Sequence, residues 1–171
     1  DFRISPDGSR VVYRADHETD QVFDLFSVPI AGGIAVRLNE PLAGSEVTEF
    51  KIAPDGSRVA YRADQDTAGV FELYSAPLEG GPAVKLNGAL AAGGNVNDIS
   101  FEFSPDSSRM IYQADQEIDD VFELFVVPAG GGAALKLNSP LAADWDMSHF
   151  KISPDGARVV YRILQSVDPW G

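Results

Sequence analysis

The chain has 171 residues, 44% of them hydrophobic and 23% charged, with a formal net charge of −13 and no cysteine. These figures allow a packed globular core but exclude a disulfide frame, a thiolate metal site and a thiol nucleophile. So acidic a surface repels phosphate, which sets the chain against nucleic acid as a partner, and no apolar run reaches membrane-spanning length.

In chain order, Phe2–Ser5 reads as a short strand and Pro6-Asp7-Gly8-Ser9 as a turn, with proline at the first central position and glycine free to take positive φ. Arg10–Ala15 is a second strand, and Asp16–Gln21 a polar loop. Val22–Pro29 is a third strand, Ala31-Gly32-Gly33 a tight hairpin turn, and Ile34–Leu38 a fourth strand. Residues 39–49 then lead onward. The strands are apolar on both faces, as in a sheet sandwiched between two others. No signal peptide is visible, although the pattern is already under way at Asp1, which leaves room for an upstream segment.

The same passage returns from Phe50 and Phe101, and its first half from Phe150, at spacings of 48, 51 and 49 residues. Four short strands per repeat of that length predict an all-β fold: a partial β-propeller of about three and a half four-stranded antiparallel blades. The expected blades are 1–49, 50–100 and 101–149, with a half blade over 150–171. From Ile163 to Gly171 the last copy stops matching, so its outer strand is expected to be an open edge. That predicts either a piece of a longer propeller or a subunit that self-assembles through open blade edges.

The Ser-Pro-Asp-Gly turn, the following Arg-Val-Val-Tyr strand, the Glu72-Leu73-Tyr74 third strand and the Gly-Gly hairpin resemble TolB-type propeller repeats. The resemblance covers almost the whole chain. It implies a periplasmic or extracellular setting, and a role as a binding platform or as the lid of a peptidase. It brings no catalytic residue with it. The loops after Asp16, Asp64 and Asp115 depart from the pattern in being longer and more acidic.

In an up-and-down blade, the loop between the second and third strands and the link to the next blade emerge at one end. The loops 15–21, 63–69 and 114–120 hold Asp16, Glu18, Asp20, Asp64, Asp66, Asp115, Glu117, Asp119 and Asp120. The links add Glu40, Glu46, Glu49, Asp98, Asp144 and Asp146. Fifteen of the 26 acids, and none of the 13 Lys and Arg, thus belong to one end, which predicts an acidic face.

Within these loops Asp16, Glu18, Asp20, the carbonyl of Val22 and Asp24 stand at positions 1, 3, 5, 7 and 9, the spacing with which a short loop wraps oxygens around Ca²⁺. Asp115, Glu117, Asp119, Val121 and Glu123 repeat it, and Asp64, Asp66 and Glu72 repeat part of it, with Ala68 at position 5 and Gly69 at the sharp turn. The pattern is similar to the calcium-binding hairpins of integrin-type propellers. The alternative reading is structural: the first aspartate of each loop caps its hairpin, and Asp24, Glu72 and Glu123 pair with Arg14, Arg62 or other strand residues.

His17 and His149 stand alone near the acidic end, without a nucleophile elbow or a phosphate loop anywhere in the chain. Trp145, between Asp144 and Asp146 in a variable link, is the candidate partner contact. The sequence therefore reads as a non-catalytic binding or structural module with an acidic, calcium-competent face for a protein or carbohydrate partner. The second reading is the propeller portion of a larger peptidase or hydrolase whose catalytic domain lies outside these residues.

Overall fold

The computed structural model describes residues 1–44, 46–141 and 145–165, and only the backbone of Ile99 and Asp146. Every regular element among them is a strand, so no helix is long and apolar enough to cross a membrane. The first blade is β1 (Phe2–Ile4), β2 (Arg10–Ala15), β3 (Asp24–Pro29) and β4 (Val36–Arg37). The second is β5 (Val47–Ile52), β6 (Arg58–Thr67), β7 (Val70–Pro77) and β8 (Val84–Lys85). The third is β9 (Val96–Phe103), β10 (Arg109–Ala114), β11 (Glu123–Pro128) and β12 (Leu135–Lys136). A two-stranded sheet, β13 (Trp145–Ile152) with β14 (Val159–Gln165), follows. Each sheet is antiparallel and keeps sequence order, the meander expected of propeller blades.

Each Ser-Pro-Asp turn is set by its aspartate. Asp7 Oδ1 accepts from the Ser5 hydroxyl at 2.6 Å and from the Ser9 amide at 3.0 Å, while Gly8 supplies a φ of 71°. Those bonds, the Ser5 hydroxyl first, hold the Asp7 carboxyl down to about 2, and the Ser104 and Ser108 bonds do the same for Asp106. In the third blade Ser107 takes the glycine's place at φ 63°, and its hydroxyl accepts the Asp55 amide of the neighbouring turn at 3.0 Å. A bond between blades thus accompanies a backbone conformation that L-residues rarely adopt.

Successive residues along a strand point into different seams, as a period of two requires. Tyr61, Val59 and Ala63 of β6 pack toward the first blade with Val12, Leu25, Phe50 and Tyr74, whereas Ala60 packs toward the third with Leu73, Phe101, Met110, Tyr112 and Phe125. Both faces of the middle blade are therefore core, and Phe50, Tyr61, Phe101 and Tyr112 are fully buried.

Three sequence-based boundaries shift. The third strand of the first blade begins at Asp24, not Val22, because Phe23 leaves the hairpin to bridge in parallel with Glu46 of the link. The fourth strand shrinks to Val36–Arg37, since Leu38 and Asn39 both turn back to bond Leu25. The loop 63–69 is largely strand: Gly69, at φ 76°, closes a turn tight enough for Thr67 to pair with Val70. Gln21 and Asp120 hold the equivalent place at φ 61° in the other copies, without that pairing.

The uneven repeat length also acquires a location. From Phe2 to Asn39, Phe50 to Asn87 and Phe101 to Asn138 the spacing is 37 residues each time. All variation falls between that asparagine and the next blade's phenylalanine. The longest interval holds a β-bulge in β9, where Asn97–Ser100 stand opposite Gln113 alone, two residues more than the corresponding stretch of β5.

Candidate functional site

The two ends of the blades are distinct. At one end the Pro-Asp turns of neighbouring blades meet, through Asp55 and Ser107. At the other, the links lie against the hairpins of the following blade: Ala43 N donates to Gln65 O at 2.9 Å, Gly44 N to Asp64 O at 3.0 Å, and Ala91 N to Asp115 O at 3.1 Å. The acid-rich loops and links therefore share a rim. A Cβ at Gly44 would sit 1.5 Å from the Asp64 carboxylate, so any larger residue there would displace that side chain.

On that rim the acids at positions 3 and 9 of each loop converge on a cation from the fourth strand. Arg37 reaches Glu18 at 3.2 Å and Asp24 at 3.9 Å. Lys85 reaches Asp66 at 2.7 Å and Glu72 at 2.8 Å, and Lys136 reaches Glu117 at 2.7 Å and Glu123 at 3.2 Å. Burial opposes the charge on Lys85 and Lys136, but the bonds from their paired carboxylates outweigh it and raise both above the ordinary lysine value. Asp24, Glu72 and Glu123 thus pair with the fourth strand rather than with Arg14 or Arg62, and the rim is less purely acidic than loop positions alone imply. Behind each set, an asparagine side chain accepts the amide of Leu25, Leu73 or Leu124 through Oδ1 and donates from Nδ2 to Asp24, Glu72 or Glu123.

Two of the position-1 aspartates, Asp64 and Asp115, act as caps. Asp64 accepts the Gly69 amide at 3.2 Å and the Glu46 amide at 3.3 Å; Asp115 accepts the Asp120 amide at 3.2 Å and the Asn95 amide. Asp16 is half-buried and Asp20 exposed. The residue after each cap holds the preceding blade: Gln65 Oε1 accepts the Glu40 amide and the Tyr61 hydroxyl, and Gln116 Oε1 the Gly88 amide and the Tyr112 hydroxyl. Burial pushes both phenols up. In the third hairpin Asp115, Asp119 and Asp120 bring carboxylate oxygens within 4.8 Å of one another, a set that overlaps the sequence spacing at positions 1 and 5.

The two seams differ at the rim. In the first, Val47 N donates to Phe23 O at 2.8 Å, and the Arg14 guanidinium donates to the carbonyls of Val47 and Thr48. In the second, the Phe71 amide donates to a side chain, Asn95 Oδ1, at 2.8 Å. Arg62 Nε still reaches Val96 O at 2.7 Å, but Nη1 turns back to Thr48 Oγ1 at 3.0 Å, and the guanidinium lies 4.0 Å from the centre of the Phe71 ring. A notch of about 410 Å³ opens there, bounded by Arg62, Phe71, Phe122, Asn95 and the bulge residues Asn97 and Asp98.

Trp145 opens β13 and is 39% exposed; Asp144, the side chain of Asp146 and residues 166–171, Trp170 included, lie outside the described residues. His17 packs on Phe26, ring centroids 4.3 Å apart, and His149 is exposed in β13. Arg37, Lys85, Lys136 and their asparagines were not singled out from sequence. Their signal was present in the recurring Arg/Lys-Leu-Asn at 37–39, 85–87 and 136–138.

No protein-family model matches the sequence, and no curated protein sequence matches it. Solved structures do. One described as TolB from Agrobacterium tumefaciens superposes over 100% of this chain and 56% of its own, with a TM-score of 0.64 at 20% identity. The fold is a TolB-like β-propeller. TolB from Acinetobacter baumannii matches 94% of this chain and 36% of its own, with a TM-score of 0.57 at 15% identity. A structure from a study of two prolyl endopeptidases matches 95% and 25%, with a TM-score of 0.66 at 16% identity. The TolB-like segment thus spans about half the length of the first of these structures and less of the others.

Proposed function

We propose that this TolB-like propeller segment is a non-catalytic binding module that works outside the cytoplasm, in the periplasm or extracellularly, and docks a protein partner on its acidic rim. The observation that carries the reading is how the rim acids divide. One set is tied into structure by Arg37, Lys85 and Lys136, while Asp20, Glu40, Asp98, Asp119 and Asp120 stand exposed around the same edge. Exposed carboxylates on one edge of a rigid scaffold steer and select a partner more than they bind it. Trp145, exposed at that end, is a contact residue in this reading. The test is proximity labelling in cells with the rim acids Asp20 and Asp119 changed to lysine, against the turn-end acids Asp7 and Asp106 changed likewise. Neighbours lost only with the rim variant support the reading; identical neighbour sets for both variants contradict it.

Calcium in this reading belongs to the third hairpin, where Asp115, Asp119 and Asp120 are close enough to share one ion. Excess Ca²⁺ then raises the melting temperature over that in chelator, and Asp119→Asn removes the rise. A second reading is favoured by the prolyl endopeptidase superposition: the propeller as the non-catalytic portion of a peptidase. A hydrolase sequence adjoining these repeats in the same gene decides for it.

A further inference from the structure

Each of the three seams brings the same two repeat positions into one core cluster from opposite sides. Val12 of β2 joins Phe50 of β5, Ala60 of β6 joins Phe101 of β9, and Ile111 of β10 joins Phe150 of β13. All six are buried. The remaining copies of these positions lie on the two sheet faces that no described blade covers. Phe2, on the outward face of the first blade beside Ile4, is 68% exposed, and Val160, on the outward face of β13–β14, is 71% exposed. Val160 lines a groove of about 370 Å³ with His149, Lys151 and Arg162. One bare face is thus the phenylalanine half of a seam and the other its aliphatic half. Charge follows the same order. Arg3 lies 5.0 Å from the centre of the Phe50 ring and pairs with Glu49, and Lys51 lies 5.5 Å from the centre of the Phe101 ring. Lys151 is the exposed fourth-copy cation, and Asp1 precedes Phe2 as Glu49 precedes Phe50. The turns agree: a Cβ at Gly56 would meet Pro6 at 3.8 Å and one at Gly156 would meet Pro105 at 3.6 Å, whereas one at Gly8 would meet nothing. Exposed apolar faces that complement each other in this way mark an interaction surface.

We infer that the chain binds a second copy of itself head to tail, the outward face of β1–β2 in one copy stacking on that of β13–β14 in the other as a further seam. Phe2 then covers Val160, and Lys151 reaches the Phe2 ring and Asp1 as Arg3 reaches Phe50 and Glu49. A second copy fits because it carries the half that each bare face lacks. The contact uses blade faces and is independent of the rim function proposed above. The test is sedimentation velocity of the whole chain from about 1 to about 100 μM, where the mean mass should rise with concentration. Phe2→Asp and Val160→Asp should each weaken self-association by about tenfold or more. Mixing the two should restore a one-to-one complex, since each variant keeps the face that the other has lost. Lys151→Glu should weaken association by about fivefold, and Asp1→Lys added to the same chain should recover most of it. Melting temperatures establish that each variant remains folded. A chain that stays monomeric at about 100 μM overturns the inference. So does association that survives either aspartate variant alone, which would mean that like faces pair, and so does failure of both the mixture and the charge swap to restore it.

Discussion

The first and second seams are built from the same repeat, with the same tyrosines and phenylalanines in their cores, yet their rims are closed differently. At the first, Val47 N bonds Phe23 O and the Arg14 side chain reaches two successive carbonyls. At the second, Asn95 Oδ1 accepts the Phe71 amide, and Arg62 is split between Val96 and Thr48. Two added residues in β9 separate the cases. The blade core between its phenylalanine and its asparagine keeps a fixed length, so divergence is confined to the edge where links meet hairpins. Loops positioned by a rigid scaffold are where binding function concentrates, and here the repeat supplies its own internal control.

If the seams differ only at the rim, their cores must respond alike. Phe50→Ala and Phe101→Ala, both of fully buried rings, should each cost about 3–5 kcal/mol by denaturant unfolding. A large disparity between them would place the difference in the core instead. The cations under the rim come next. Lys136→Met leaves the buried Glu123 without its ammonium and should cost about 1–2 kcal/mol, discounted from the buried-pair range because the lysine is partly exposed. Arg37→Met, whose closer partner Glu18 is half exposed, should cost less than about 1 kcal/mol. Equal costs would mean that the two pairs are equally screened.

The smallest effect concerns the opposite end, which serves as a reference away from the rim. Asp7 and Asp106 are held near 2 in the folded chain, below the ordinary carboxylate value near 4. A depressed folded pKa contributes stability at higher pH that is lost as pH falls from about 4 through about 2. Asp7→Asn should therefore flatten that limb of a urea-midpoint profile and leave neutral-pH stability less dependent on acid. An unchanged acid limb would show that these turns carry no such linkage.

The repeat and its strands were legible because Pro-Asp turns and apolar strands are local signals. β2 runs from Arg10 to Ala15, as its Val and Tyr content predicts, and the acid-bearing loops share one end as up-and-down topology requires. What the sequence hid was pairing across distance. The 1-3-5-7-9 spacing of acids describes a loop wrapped on itself, but in each blade the acids at 3 and 9 turn outward to a cation from the fourth strand, 13 residues beyond the ninth position. Nothing local marks Arg37, Lys85 or Lys136 as partners; only their recurrence does. The seam difference was harder still, since Asn95 and Asp98 sit in the one interval where the repeats cannot be aligned by eye.

The most direct test of the account is the paired melting behaviour of Asn95→Ala and Glu46→Ala, equivalent residues at the two seams. At the second seam the Asn95 side chain takes the Phe71 amide, so Asn95→Ala strands that amide and should lose about 1–2 kcal/mol. Glu46 takes part in the first seam through its backbone, so Glu46→Ala should change stability by less than about 0.5 kcal/mol. Equal losses, or a larger one for Glu46→Ala, would contradict the claim that the Asn95 side chain helps to close the second seam.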